Sequence, residues 1–205
     1  MATNLAFLLM IVAGNMQDHW QPDLEEPQNQ ILLQHALSKG PSLTKSFASP
    51  LEAATWIASM SKQIKKFIPD WHERLELLRT LHYEASRAGI DPQLALAVIE
   101  VESGFKRYAV PKAGAVGYMQ VMPFWIKEIG KKNDNLFDLQ TNLRYGCTIL
   151  RYYLDRENGH LARALGRYNG AIHGPYPNLV LSRLDGRWAI PIASSKSLYQ
   201  QASAR

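Results

Sequence analysis

The chain has 205 residues, of which 46% are hydrophobic and 20% are charged, and its formal net charge is +5. This length suits one domain with appendages, and this composition excludes an intrinsically disordered chain. The positive charge favours anionic partners, but no dense basic run or basic–aromatic ladder indicates nucleic acid, so we expect no nucleic-acid partner. Cys147 is the single cysteine, which excludes an intrachain disulfide and predicts a small buried side chain on a helix.

The N-terminus begins with a continuous apolar run over residues 5–13 that is too short to span a bilayer as a helix. Its length matches the apolar region of a signal peptide, and Val12, Ala13 and Gly14 supply the small residues of a cleavage site. No Lys or Arg precedes the run, so a packed N-terminal helix and an uncleaved anchor are alternatives. We expect residues 1–20 to be a signal peptide or a short N-terminal anchor.

Residues 21–69 are predicted to form a linker and a helical N-terminal segment. A short helix is predicted over residues 31–37. A clearer helix opens with Ser49 as N-cap and Pro50 at its first position, and it is expected to run to about Phe67. Apolar residues at helical spacing predict one buried face. They are Ala53, Trp56, Ile57, Met60 and Ile64.

Two further helices lead to the middle of the chain. Asp70 caps the first, whose apolar residues follow helical spacing until a stop at Gly89. Asp91 and Pro92 start the second, and its residues 94–99 are apolar on every side, so we expect it to be buried all round.

The rest of the chain is also predicted to be mostly helical, so the fold class is mainly α. Later helices are predicted over residues 124–131, 142–157, 161–168 and 178–184. A Gly-rich irregular loop or short hairpin is expected within residues 109–121. Residues 191–205 are polar and are expected to form a flexible tail.

Glu100 and Glu102 lie near the end of the buried helix. At about 100° per residue they point roughly 200° apart, so both cannot serve one site. Gly104 is a natural helix stop and places Glu102 in the last turn, where the helix dipole and apolar burial both raise the pKa of a carboxyl group. A general acid needs such a raised pKa near neutral pH. Glu102 is therefore the candidate acid/base, with an ordinary surface carboxylate as the alternative, and Glu100 is expected to face solvent or form a salt bridge.

Two other segments contain residues suited to a sugar-binding cleft. Gly114 and Gly117 let the backbone of residues 112–123 approach a ligand closely. Tyr168 and Asn169 combine an aromatic surface, a hydroxyl and an amide, which suit sugar hydroxyls and acetamido groups. Each segment is a weak signal alone, because turns of both kinds are common.

Taken in order, three motifs resemble the catalytic domain of the soluble lytic transglycosylases (SLT). The motifs are Glu102-Ser103-Gly104-Phe105, Gly117-Tyr118-Met119-Gln120 and Tyr168-Asn169-Gly170. The resemblance covers about residues 71–184 and implies a lysozyme-like, mostly helical fold, so we expect a catalytic domain over residues 70–190. The sequence departs from the family at Tyr118, where Leu is usual, and at Arg167, where Ala is common.

The resemblance implies cleavage of peptidoglycan between N-acetylmuramic acid (MurNAc) and N-acetylglucosamine (GlcNAc), with Glu102 as the sole catalytic acid/base. Glycosidases ordinarily use two carboxylates, whereas here the acetamido oxygen of the substrate would stabilise the oxocarbenium-like centre. Glu102 would protonate the glycosidic oxygen and then accept the proton of the MurNAc 6-hydroxyl, which closes a 1,6-anhydro ring. No metal or cofactor is expected.

The resemblance also implies five substrate-binding residues. Ser103 would orient the leaving sugar or the catalytic carboxyl group, and Met119 and Gln120 would line the cleft. Tyr168 and Asn169 would position the muramoyl residue and hydrogen-bond the catalytic carboxyl group or the acetamido group. The expected partner is therefore the peptidoglycan glycan strand, bound by a monomer in the periplasm or cell envelope, with peripheral association with the membrane or cell-wall machinery.

Three alternatives are open at this point. A lysozyme-type muramidase would use water in place of the 6-hydroxyl and would normally need a second carboxylate, for which Asp134, Asp138 and Asp155 are available. A catalytically silent peptidoglycan-binding module would not depend on Glu102. A plain helical interaction domain would make all three motif matches accidental.

Overall fold

The computed structural model describes residues 46–47 and 50–189. The predicted signal region, linker, helix over residues 31–37, Ser49 cap and C-terminal tail lie outside the described residues. The described part contains seven helices, which confirms a mainly α fold. They are α1 (Pro50–Ile64), α2 (Trp71–Arg87), α3 (Pro92–Glu102), α4 (Phe124–Ile129), α5 (Leu139–Arg156), α6 (Leu161–Asn169) and α7 (Tyr176–Gly186).

Side-chain caps explain where several helices begin. Asp70 Oδ1 accepts a hydrogen bond of 2.7 Å from the Glu73 amide at the start of α2. Asp138 Oδ1 accepts one of 2.8 Å from the Thr141 amide, so α5 begins at Leu139, earlier than the predicted residue 142. Helix α7 likewise begins at Tyr176 and not at residue 178.

Helix α3 is the centre of the molecule, as its apolar sequence predicts. All of residues 94–99 are fully buried, and the helix packs against α2 and α7. In the last turn, Glu100 and Glu102 are partly exposed while Val101 between them is buried. The carboxylates therefore lie at the end of a helix whose middle, residues 94–99, is sealed from solvent.

Helix α1 packs on α2 and shares its core. Met60 and Ile64 are fully buried, and Arg74 on α2 reaches back to this segment. Its Nε donates a hydrogen bond of 2.9 Å to Ser61 Oγ, and its Nη1 donates one of 2.8 Å to the Ile68 carbonyl. These contacts fix the segment before α2 against the helices that carry the predicted motifs.

The loop after α3 is irregular. It contains one isolated antiparallel bridge, in which Val116 and Val121 exchange backbone hydrogen bonds of 3.0 Å in both directions. The short hairpin that the sequence suggests is thus reduced to a single pair of residues. This narrow turn brings the Gly117–Gln120 motif against the end of α3.

Candidate active site

Glu102 is the last residue of α3, and the chain reverses direction directly after it. Gly104 and Phe105 both have left-handed φ values, +57° and +63°. That conformation is strained for a phenylalanine, but the ring is buried against Phe67 and Trp188, with centroid distances of 5.0 and 5.8 Å. Burial of the Phe105 ring therefore holds the turn that ends the helix at Glu102.

Tyr176, at the start of α7, donates a hydrogen bond of 2.6 Å to Glu102 Oε1. Burial raises the pKa of Glu102 to about 7, and the Tyr176 hydrogen bond opposes this rise because it stabilises the charged form. No other hydrogen bond to this carboxyl group is recorded among the described residues, which leaves Oε2 to carry the proton. A carboxyl group with this pKa can both give and take a proton near neutral pH.

Glu100 lies on the opposite side of α3 from Glu102 and forms ion pairs, which confirms the salt-bridge alternative predicted for it. Its carboxylate lies 3.3 Å from Arg183 Nε and 3.4 Å from Arg187 Nε, and it accepts a hydrogen bond of 3.0 Å from Trp188 Nε1. Glu100 therefore joins the end of α7 to α3, while Glu102 on the opposite side of the helix keeps its raised pKa.

Asn142, on α5, holds the loop that carries the second motif. Its Oδ1 accepts a hydrogen bond of 2.9 Å from the Met119 amide, and its Nδ2 donates to the carbonyls of Val116 at 2.8 Å and Leu136 at 3.0 Å. Gly117 has a φ of +77°, and a Cβ there would lie 2.5 Å from Asn142 Nδ2. Residue 142 is predicted from the sequence only as the start of a helix, because these contacts with the loop carry no local signal.

Ser103 directly follows Glu102, and its predicted role of orienting the leaving sugar or the catalytic carboxyl group stays a prediction. Its side chain is buried, and Oγ lies 2.8 Å from the Tyr118 carbonyl and 3.2 Å from the Ile99 carbonyl. Its one hydroxyl proton is therefore directed at backbone carbonyls. Ser103 joins the end of α3 to the second motif and so positions the site from within the protein.

The side chain of Met119 is fully buried, and its predicted cleft-lining role stays a prediction. Its sulfur lies 3.9 Å from the sulfur of Cys147 and packs over Gly146 on α5. Cys147 is itself fully buried, as predicted, and burial raises the pKa of its thiol well above the ordinary value. The Met119 side chain thus packs the loop onto α5, and the Met119 backbone forms the hydrogen bonds with Asn142 and Tyr168.

Gln120 is partly buried and has a left-handed φ of +47°. Its Nε2 donates hydrogen bonds to the carbonyls of Gly117 at 2.8 Å and Ala109 at 3.1 Å. The amide nitrogen therefore closes the loop on itself and on the preceding segment. The cleft-lining role of Gln120 stays a prediction.

Tyr168, on α6, lies beside Glu102 but bonds elsewhere. Its hydroxyl donates a hydrogen bond of 2.8 Å to the Met119 carbonyl. Burial raises its pKa well above 10, and the charge of nearby Glu102 raises it further. Tyr168 therefore holds the loop of the second motif from α6. The resemblance predicts a hydrogen bond from Tyr168 or Asn169 to Glu102 or the acetamido group, whereas the hydrogen bond to Glu102 in the structure comes from Tyr176. Asn169 is half-buried at the end of α6, and its role toward substrate stays a prediction.

Tyr176 lies just before the predicted helix over residues 178–184, and its contact with Glu102 is not predicted from the sequence. The available signal was its position between Pro175 and Pro177, which fixes the start of α7. The residue is far from Glu102 in the chain, so no local pattern joins the two.

The three aspartates that could have supplied a second carboxylate all have structural partners. Asp134 Oδ2 accepts a hydrogen bond of 2.5 Å from Tyr145 Oη, and Asp138 caps α5. Asp155 forms an ion pair with Arg151. Within residues 46–47 and 50–189, no group of three or more His, Cys, Asp or Glu residues could hold a metal ion.

A scan against protein-family models matches residues 79–174 to the Transglycosylase SLT domain. The chain is 32% identical to the "Transglycosylase" of Enterobacteria phage PRD1 over 96 residues, which is 47% of this chain and 35% of the relative. It is 30% identical to "Membrane-bound lytic murein transglycosylase C" of Yersinia pestis (strain Pestoides F) over 115 residues, covering 48% of this chain and 31% of the relative.

A shorter match with a higher identity is to the protein of the same name from Actinobacillus pleuropneumoniae serotype 5b (strain L20), which is 56% identical over 39 residues. That match covers 19% of this chain and 11% of the relative. The chain thus spans about a third or less of the length of these curated relatives. The family model, the motif order and the helical fold agree that residues 79–174 are similar to the Transglycosylase SLT domain.

Proposed function

We propose that the chain is a peptidoglycan lytic transglycosylase and that Glu102 is its sole catalytic acid/base. The observation that carries the proposal is a partly buried carboxyl group with a pKa of about 7 at the end of α3, hydrogen-bonded to Tyr176. The matched family and the names of the relatives supply the substrate class.

The pKa of Glu102 suits a group that must act twice. In the first step its protonated form gives a proton to the glycosidic oxygen as the bond to the MurNAc anomeric carbon breaks. The acetamido oxygen of the substrate stabilises the cationic centre. The carboxylate formed in this step is stabilised by Tyr176 and accepts the proton of the 6-hydroxyl, whose oxygen then bonds to the anomeric carbon. Glu102 ends protonated, no water is consumed, and a 1,6-anhydro-MurNAc end remains.

The electrostatics of Glu102 favour this route over a lysozyme-type hydrolysis. A second catalytic carboxylate nearby would raise the pKa of Glu102 by repulsion. Burial is instead the cause of the rise, and Asp134, Asp138 and Asp155 are engaged in other contacts. A single carboxylate can work with the acetamido group of the substrate in place of a second carboxylate, and we propose that the 6-hydroxyl then takes the place of water.

The experiment compares the wild-type protein with Glu102→Gln on purified peptidoglycan and identifies the soluble muropeptides by mass. We expect anhydro-MurNAc ends from the wild type, and a loss of at least about 100-fold in the variant, because proton transfer is removed. Asp185→Asn, the same change at an exposed position of α7, is the matched control and should keep full activity. Reducing ends from the wild type would indicate a muramidase, and equal inactivity of both proteins would indicate a silent binding module.

We propose further that the protein acts as a monomer in the cell envelope, where peptidoglycan lies, with residues 1–20 as signal or anchor. Two relatives are named membrane-bound, which agrees with that location. Among the described residues, no helix is both long and apolar enough to cross a membrane. N-terminal sequencing of the protein from its native host tests the signal, since an intact Met1 would exclude cleavage.

A further inference from the structure

Two exposed aromatic rings lie together on loops whose backbone is hydrogen-bonded to the second motif or to Asn142, which holds it. Tyr108 is 70% exposed and Phe137 is 39% exposed. Their ring centroids are 6.1 Å apart and their planes are inclined by 43°. Val110, close to Tyr108 in the chain, is also exposed. Single apolar residues on a surface need no explanation, but a cluster of large ones indicates a binding surface.

The backbone connects Tyr108 directly to the second motif. Its neighbour Ala109 has a carbonyl that accepts hydrogen bonds from the Gly117 amide at 2.9 Å and from Gln120 Nε2 at 3.1 Å. Tyr108 and Val110 therefore flank a residue that is bonded to the proposed cleft loop. A ligand that extends along this loop would pass the Tyr108 ring.

Phe137 is connected to the same loop from the other side. The carbonyl of Leu136, the residue before it, accepts a hydrogen bond of 3.0 Å from Asn142 Nδ2. Asn142 also binds Val116 and Met119, so one buried side chain fixes the positions of both loops. The contact between the Tyr108 and Phe137 rings thus depends on the same Asn142 hydrogen bonds that hold the loop of the second motif.

Arg107 further restricts the Tyr108 ring. Its guanidinium lies 5.7 Å from the ring centroid, and its Nη1 lies 3.4 Å from Glu76 Oε2 on α2. A cation over one face of the ring leaves the other face and the edges for a ligand. Rings fixed in this way lose little conformational freedom on binding.

We propose that Tyr108 and Phe137 form an aromatic platform that binds a pyranose ring of the glycan strand beyond the bond that is cleaved. This inference rests on the proposed function, since it extends the same cleft. A β-linked pyranose presents C–H groups on its faces and hydroxyl groups at its rim, so its faces stack on aromatic rings while its rim stays in water. The platform adds affinity for long strands and touches no reacting atom.

The test measures binding without catalysis. Each variant is made in the Glu102→Gln background, and its binding to insoluble peptidoglycan is measured by co-sedimentation. We expect the combined Tyr108→Ala and Phe137→Ala change to raise the Kd by roughly fivefold or more, because two ring contacts are lost. The conservative pair Tyr108→Phe and Phe137→Tyr keeps both rings and should bind as tightly as the parent.

Trp71→Ala is the matched control. Trp71 is 47% exposed, and the Arg74 guanidinium lies 5.5 Å from its ring, as Arg107 does for Tyr108. It is two residues from Glu73, which accepts a hydrogen bond from Tyr118, so its side chain points roughly 200° away from that contact. Removing this ring should leave the Kd unchanged.

Turnover by the catalytic protein gives a second readout. With Glu102 intact, the double alanine variant should show a raised KM on long strands and an unchanged kcat, and it should cleave short fragments as the wild type does.

An unchanged Kd and KM would overturn the platform while leaving the proposed function intact. Weaker binding combined with an inactive wild type would support the platform and overturn the proposed function. Loss of binding to anionic lipid vesicles, with peptidoglycan binding unchanged, would make the pair a membrane contact and overturn the platform.

Discussion

Tyr176 Oη and Glu102 Oε1 lie 2.6 Å apart, and this hydrogen bond joins the start of α7 to the end of α3. Burial favours the neutral carboxyl group, whereas the phenol favours the carboxylate, and the pKa of Glu102 is about 7 as a result. Without the phenol, burial alone would hold the proton too tightly. Without burial, the group would be ionised at neutral pH and unable to act as an acid.

Tyr176→Phe is expected to change the pH dependence of the reaction. Losing the hydrogen bond removes stabilisation of the carboxylate, so the pKa of Glu102 rises above 7. Since the first step needs the protonated form, the fall in kcat at high pH should move to higher pH. The profile of muropeptide release from about pH 5 to pH 9 measures this shift.

Tyr168→Phe serves as its control, because the Tyr168 hydroxyl bonds the Met119 carbonyl and not the carboxyl group. This variant should lower activity by loosening the loop while leaving the high-pH fall where it is in the wild type. If the two variants shifted the profile equally, the direct hydrogen bond would not be what sets the pKa.

The two glutamates of α3 are expected to have opposite effects on stability. The pKa of Glu102 is about 7 in the folded protein against an ordinary value of 4.5, so the unfolded chain releases this proton first as pH rises. The stability that this proton contributes is fully present below pH 4.5 and is lost as pH rises to about 7. Glu102→Gln avoids that loss and should be more stable than the wild type by up to roughly 3 kcal/mol at pH 8.

Urea unfolding at about pH 4 and pH 8 measures the difference, which should be near zero at the lower pH. Glu100→Gln is the contrast, because it breaks ion pairs with the partly exposed Arg183 and Arg187. It should destabilise the protein by about 1–2 kcal/mol. A Glu102→Gln variant less stable than the wild type at pH 8 would contradict the raised pKa.

The parts of the site that sequence reasoning could predict are those set by local chemistry. The position of Glu102 follows from an apolar helix that ends at Gly104, and the 200° separation from Glu100 follows from helix geometry. Long-range contacts have no such local signal. Tyr176 reaches Glu102 only because α7 packs on α3, which no spacing within either helix encodes.

The same limit applies to Ser103 and Met119, which the resemblance names as substrate-binding residues and whose side chains lie inside the protein. A motif identifies which residues belong to a site, but it does not distinguish a side chain that contacts the ligand from one that supports the loop. Burial makes that distinction, and burial depends on α5 and on the turn itself. The left-handed φ of Gln120 could not be predicted from the sequence either, because glycine is the residue that usually adopts this conformation.

Asn142→Ala is expected to destabilise the protein and inactivate it. The change leaves the Met119 amide and the Leu136 carbonyl without partners in a buried place, where each unsatisfied group costs about 1–3 kcal/mol, while the Val116 carbonyl keeps its hydrogen bond from the Val121 amide. We therefore expect a loss of at least about 2 kcal/mol in the free energy of unfolding, measured by urea denaturation. Asn135→Ala, which removes one exposed bond to the Phe137 amide, should cost less than about 1 kcal/mol. Similar losses at both positions would contradict the role of Asn142.

Gly146→Ala tests the support beneath the second motif. An added Cβ would lie 2.4 Å from the Met119 sulfur and 2.6 Å from its Cβ, so Met119 must move and the loop with it. Alanine favours a helix over glycine by up to about 1 kcal/mol, but overpacking costs about 1–3 kcal/mol, so we expect net destabilisation and a lower kcat. Gly186→Ala on α7 is the control, because a Cβ there meets no atom within 4 Å, and it should be neutral or stabilising. Thermal unfolding and turnover of both variants decide the question: a Gly146→Ala protein as active and as stable as Gly186→Ala would show that Met119 does not depend on this close approach.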